Sequence, residues 1–137
     1  MVSKPFQNIL VAEDNDAERH LIHMSITELN GAAAIADVAN GADCLAYVRR
    51  QGEYAEAVRP DLIVLDNMMP GMTGAQVLEA LNRDADLSRI SVLYWSSGSN
   101  RDVRSALRSR GCAQKPMTLD DYRSAFESVC EVLSPFR

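Results

Sequence analysis

Four apolar runs in this chain end in residues that can do chemistry. Ile9-Leu10-Val11-Ala12 leads into Glu13-Asp14, and Leu62-Ile63-Val64-Leu65 into Asp66. Val92-Leu93-Tyr94-Trp95 leads into Ser96-Ser97, and the short Cys112-Ala113-Gln114 into Lys115-Pro116. Three carboxylates brought together repel one another unless a cation joins them. Magnesium suits an all-oxygen, partly hydrated site with one or two carboxylates and room for phosphoryl oxygens. A carboxylate can attack phosphorus to give an acyl phosphate, and a metal ion and a lysine then neutralise the charge on the transferring group. Ser96 would donate its hydroxyl to a phosphoryl oxygen. Taken singly, each element has a plainer explanation: a solvated acidic edge, a Lys-Pro turn, a serine loop start. The joint pattern, each group directly after its own apolar run, is harder to dismiss.

Those groups converge only if the runs are neighbouring strands. The runs are short, continuous and apolar, the signature of strands buried on both faces of a parallel sheet. Amphipathic segments alternate with them. Asn15/Asp16 signals a cap before a helix with Leu21, Ile22, Ile26 and Leu29. A weaker strand over about 33–38 precedes a helix capped by Asn40 and carrying Cys44, Leu45 and Val48. Pro70-Gly71-Met72-Thr73-Gly74 precedes a helix with Val77, Leu78 and Leu81. A further helix is expected near 102–110, and a last one over about 119–133 begins at a Thr118 cap, with Asp121 three residues on. Five βα units of this length make a doubly wound α/β sandwich with right-handed crossovers. Ligands in such folds sit outside the carboxyl ends of the strands, where the reactive groups lie.

The 137 residues fit a single domain spanning 1–137, with its core over about 8–133. A net charge of −5 argues against a nucleic-acid surface, which needs clustered Lys and Arg. No apolar run approaches a membrane span, and Met1–Gln7 has no signal-peptide core, so a cytoplasmic protein is expected. Cys44, Cys112 and Cys130 form no C-x-x-C pair and read as reduced thiols.

On these residues the chain resembles the receiver domain of two-component response regulators: Ile9 to Asn15, Pro60 to Asp66, Met69-Pro70 with Gly74, Ser96, and Lys115-Pro116. The resemblance runs from about Asn8 to Leu133. It implies a flavodoxin-like, CheY-like (βα)5 sandwich with a five-stranded parallel sheet. It also implies a stand-alone phosphoacceptor switch rather than a turnover enzyme. Asp66 would take a phosphoryl group from a sensor histidine kinase. Asp14, Asp66 and the Met68 backbone carbonyl would ligate Mg²⁺, with Glu13 acting mainly through water. Ser96 and Lys115 would bind the phosphoryl group, and the Lys115-Pro116 bond is a candidate cis peptide. Gly52-Glu53-Tyr54-Ala55 and the segment from Lys115 to Asp120 further resemble regulators that partner phytochrome-type kinases.

Two departures stand out. The Gly111–Lys115 segment is short and lacks the aromatic residue that usually toggles there, with Cys112 or Ala113 near its place. Tyr94 or Trp95 would report the switch instead, or else are core. Met68 and Gly98, two residues after Asp66 and Ser96, cannot orient an attacking water, which predicts a long-lived phosphoryl group. In the last helix, the stripe Leu119, Tyr122, Phe126, Val129 and Leu133 either packs on the sheet or supports a homodimer. Leu21 and Met24 are core or a kinase contact, and His20 and His23 are surface residues or a metal pair. A pseudo-receiver, an interaction module that works without phosphorylation, is the alternative function. A magnesium phosphohydrolase fits less well, because it usually has a second Asp where this chain has Met68. A flavodoxin-like flavin binder shares only the fold class.

Overall fold

The computed structural model describes residues 6–29, 31–96, 111–114 and 118–132. Its strands are β1 (Asn8–Ala12), β2 (Ala34–Val38), β3 (Leu62–Asp66), β4 (Ser91–Ser96) and β5 (Gly111–Gln114). Its helices are α1 (Asp16–Leu29), α2 (Gly41–Arg49), α3 (Gly74–Arg83) and α4 (Leu119–Val132), with short 3-10 turns at Gly52–Tyr54 and Leu87–Arg89. The five strands form one sheet in the order β2-β1-β3-β4-β5, all pairs parallel. The order reverses between β1 and β3, so their carboxyl ends open a crevice at the switch point.

Side chains alternate across a strand, and this divides the core in two. On one face Leu10, Ala12, Ile63, Leu65, Val92 and Tyr94 pack with Cys44 and Leu45 of α2 and Val77, Leu78 and Leu81 of α3. On the other, Ile9, Val11, Leu62, Val64, Leu93 and Trp95 pack with Ile22 and Ile26 of α1 and Tyr122 and Phe126 of α4. Each fully buried aliphatic side chain contributes about 2 kcal/mol by leaving water, so the continuous apolar runs are what hold the sheet between its layers.

Both strand-four aromatics are core. Trp95 meets Tyr122 and Phe126 edge to face, with ring centroids 5.0 Å and 5.7 Å away. Tyr122 and Phe126 of the α4 stripe therefore pack on the sheet, and an Arg123 Nε to Glu28 Oε2 ion pair of 2.5 Å ties α4 to α1. Leu21 is half-buried against the same core, while Met24 is exposed. Cys44 is buried, and burial pushes its thiol up to about 12, which makes it an inert core residue. The side chains of Cys112, Val129 and Cys130, and the expected helix near 102–110, lie outside the described residues.

The caps read from the sequence are in place. Asn40 Oδ1 accepts from the Asp43 amide at 2.7 Å, and Thr118 Oγ1 from the Asp121 amide at 3.1 Å. Asp61, just before β3, accepts from the amides of Gln7 and Asn8 at 3.0 Å and 3.1 Å. That pair fixes the entry of β1 against β3 and so helps set the register on which the crevice depends.

Candidate functional site

Register brings the acidic groups together. Ala12 pairs with Leu65 across β1 and β3, so Glu13 and Asp66, the next residues, stand level at the strand ends. Asp66 also pairs with Trp95 of β4. Glu13 is 1% exposed and Asp66 3% exposed, unusual burial for carboxylates. Glu13 is held from three directions: its amide donates to Val38 O at 3.1 Å, Arg19 Nη1 donates to its carbonyl at 3.1 Å, and the Asn15 amide donates to its side-chain Oε2 at 3.2 Å.

Glu18, in the first turn of α1, completes the group. One carboxylate oxygen each from Glu13, Glu18 and Asp66 lie within 4.8 Å of one another. Nothing in the sequence reading singled out Glu18. The signal available was its place at the third helical position after the Asn15 cap, which aims an N-terminal side chain back along the helix toward the preceding strand end. Asp14 stands exposed beside the group and is not one of these three. β1 ends at Ala12, the Glu13 amide still donates to Val38 O of β2, and the exposed Asp14 follows it.

The loop after β3 is held by Asn67, another residue the sequence reading passed over. Its amide donates to Trp95 O at 3.1 Å, its carbonyl accepts from the Gly74 amide at 3.0 Å, and its Oδ1 accepts from the Ala75 amide at 3.2 Å. Gly74 permits that approach: a Cβ there would sit 2.5 Å from Asp66 O and 2.8 Å from Asn67 Cα. The glycine thus lets α3 begin directly against the backbone of Asp66. Gly41 does the same for α2, where a Cβ would lie 2.9 Å from Met72 O. Met68 is 64% exposed at the rim, two residues past Asp66.

Ser96 closes β4, paired with Gln114 of β5, so its backbone lies at the same sheet edge, though its side chain is outside the described residues. Ser97, Gly98, Lys115 and Pro116 lie outside them as well. His23 Nε2 is 2.7 Å from Asp37 Oδ1, an α1 to β2 contact, and His20 is exposed. Among the described residues the two histidines join no metal-ligand group.

Buried carboxylates this close are costly unless a cation or specific donors offset them. An all-oxygen donor set at the mouth of a parallel sheet fits a hard divalent cation, and among the described residues Glu13, Glu18 and Asp66 are close enough together to share one.

The comparisons with known proteins converge on one family. The profile of the response regulator receiver domain matches residues 9–127. The chain belongs to the response regulator receiver family. It is 31% identical over 100 residues to response regulator Rcp1 of Synechocystis sp., an alignment covering 73% of this chain and 68% of that one. It is 39% identical over 102 residues to the transcriptional regulatory protein AfsQ1 of Streptomyces coelicolor, covering 74% of this chain but 40% of AfsQ1. Among solved structures, the phosphorylated cyanobacterial phytochrome response regulator RcpA superposes with a TM-score of 0.82 at 31% identity, covering 93% of this chain and 94% of that one. A Mn²⁺-bound form of Rcp1 gives 0.81 at 25% identity, covering 96% of each. The receiver thus has a phytochrome response regulator among its relatives, and receiver domains of its family generally act as signalling switches. Among its described residues, no helix is long and apolar enough to cross a membrane.

Proposed function

We propose that this receiver is a phosphoacceptor switch that takes a phosphoryl group onto Asp66 in a Mg²⁺-dependent reaction. The observation that carries the reading is the burial of Asp66 level with Glu13 at the β1/β3 switch point, inside a three-carboxylate group. An Asp66 carboxylate oxygen attacks phosphorus of a phosphohistidine already protonated on its other ring nitrogen, forming the acyl phosphate as the P–N bond breaks and neutral imidazole leaves. The bound cation supplies neutralising charge for the phosphoryl oxygens. Glu13 and Asp66 would hold it, with Asp14 and the Met68 carbonyl as further ligands. Asn67 and Gly74 keep the nucleophile fixed against α3. Ser96 and Lys115 take the added charge of the phosphoryl group in this scheme.

The donor is a sensor histidine kinase, and the relation to Rcp1 and RcpA favours one of phytochrome type. The signal leaves by conformational change or protein contact. The exposed apolar Met68 offers nothing to orient an attacking water, so the phosphoryl group should persist for longer than minutes in the purified protein with Mg²⁺. Intact mass after incubation with acetyl phosphate and Mg²⁺ tests the reading. A single adduct, absent in Asp66→Asn and with EDTA, is expected. No adduct under any condition overturns it in favour of a phosphorylation-independent interaction module.

A further inference from the structure

Strand β2 is an edge of the sheet: among the described residues its strand neighbour is β1 alone. The Ala34 amide donates to Gln7 O at 2.8 Å, and Val38 O accepts from the Glu13 amide at 3.1 Å, so these backbone groups turn toward β1. Backbone groups alternate sides along a strand, which turns the N–H and C=O of Ile35 and Asp37 outward along the open edge. Natural edges are usually blunted by lysine, proline or a bulge. From Gly31 to Ala39 this chain has neither lysine nor proline, and β2 pairs with β1 residue for residue, without a bulge. Its one charged residue, Asp37, is engaged by α1, with Oδ1 2.7 Å from His23 Nε2. Ala34 is exposed, and Ile35 and Ala36 are half-buried. Ala34 and Ala36 also line a cleft with Tyr47, Val58 and Pro60, where Val58 is 59% exposed.

We infer that this edge is a self-association surface, on which β2 of a second copy pairs antiparallel and joins the two sheets about a two-fold axis at Ala36. The inference does not rest on the phosphoacceptor reading. A second copy is the occupant because the edge is its own complement, as a two-fold interface requires. With Ala36 opposite Ala36, Ile35 stands opposite Asp37 in both directions, and each such pair exchanges its N–H and C=O bonds. Every outward group of Ile35 and Asp37 is then satisfied. The axis falls between two alanines, small enough for the close approach of a non-hydrogen-bonded pair. On the α2 and α3 side Ala34 meets Val38, while on the α1 side each Asp37 meets an isoleucine. Ala36 is the midpoint of β2, so this register pairs the strand over its whole length. Centring the axis on Ile35 shortens the ladder. Centring it on Asp37 also sets two carboxylates face to face, which is destabilising.

Sedimentation velocity of the full chain across a concentration series tests this, comparing wild type with Ala36→Lys. Wild type should form a dimer that grows with concentration. Ala36→Lys sets two lysines face to face at the axis and should weaken association by about tenfold or more. Cysteine cross-linking with a copper oxidant tests the register and decides the matter if Ala36→Lys does not fold. Two Ala36→Cys residues meet across the axis with Cα atoms about 4.5 Å apart, within disulfide reach. Two Ala34→Cys residues stand about 13 Å apart along the strands and should not link. Wild type, with its own three cysteines, gives the background. Three outcomes overturn the inference: a wild type monomeric at every concentration, a dimer that Ala36→Lys leaves unchanged within about twofold, or Ala36→Cys linking no better than Ala34→Cys.

Discussion

Helices α1 and α3 begin with the same local chemistry and end with different structures. At α3, Thr73 Oγ1 accepts from the Gln76 amide at 3.2 Å and Gln76 Oε1 accepts from the Thr73 amide at 2.8 Å, so the box closes on itself. At α1, Asn15 and Glu18 stand at the same spacing, but only the first half of the box forms. The second half is taken by Glu13, the buried carboxylate that β1 delivers to the crevice. A capping pattern closes where its surroundings are neutral, and it opens where a neighbouring strand supplies a competing acceptor and a place for a further charge. The comparison also separates two jobs: α3 holds the loop behind Asp66, while α1 contributes charge in front of it.

The sharpest way to break the α3 side is Gly74→Ala. The added Cβ collides with the backbone of Asp66 and Asn67, which cannot yield as a flexible side chain would. Urea unfolding should show a loss of about 3 kcal/mol, and acetyl phosphate labelling of Asp66 should fall with it. A loss within noise would mean that the β3–α3 loop does not fix the nucleophile.

The cap residues should be equal where the boxes are alike. Thr73→Ala and Asn15→Ala each remove one bond to a third-position amide, and each should cost about 1 kcal/mol in the same unfolding assay. Very unequal costs would show that the half-open box at α1 is held by something other than its cap.

The third-position residues should differ in sign. Gln76→Ala breaks a neutral closure and should cost about 0.5 kcal/mol. Glu18→Gln removes one of three crowded carboxylates and, in EDTA, should raise stability by about 1 kcal/mol. Equal behaviour of both variants in EDTA would erase the contrast between the two helix starts.

The smallest effect comes from a cap that titrates. Asp84, after α3, accepts from the amides of Leu87 and Asp86, and those bonds hold its carboxyl below the ordinary value of 3.8. A carboxyl depressed in the folded state contributes stability above its unfolded value and loses it as pH falls through the folded one. The stability difference between wild type and Asp84→Asn should therefore be constant near neutral pH and shrink only below about pH 4. Thr73→Ala, whose cap is a hydroxyl, should show no such trend.

Much of the fold was legible from local pattern. Continuous apolar runs marked β1, β3 and β4, and the structure returns them as Asn8–Ala12, Leu62–Asp66 and Ser91–Ser96. The caps at Asn40 and Thr118 announced α2 and α4. The shortness of the fifth strand was visible too, since few apolar residues stand between Gly111 and Lys115. Tyr94 and Trp95 were readable only as either core or reporter, because an aromatic on a strand looks the same in both roles. Their burial on opposite faces against α3 and α4 decided for core.

By itself, the sequence determined which residues end each strand, because an apolar run stops where its polar successor begins. That placed Glu13 and Asp66 at one edge of a parallel sheet and marked the receiver family. What only the tertiary structure decided was who joins them there. Glu18 is five residues from Glu13 along the chain and far from Asp66, and its place depends on how α1 sets off from β1 and on which acceptor wins the Asn15 amide. Asn67 and Gly74 are ordinary loop residues until α3 packs against the backbone of Asp66. Periodicity records which way a side chain faces within its own element; distances between elements are set by the packing of the whole core.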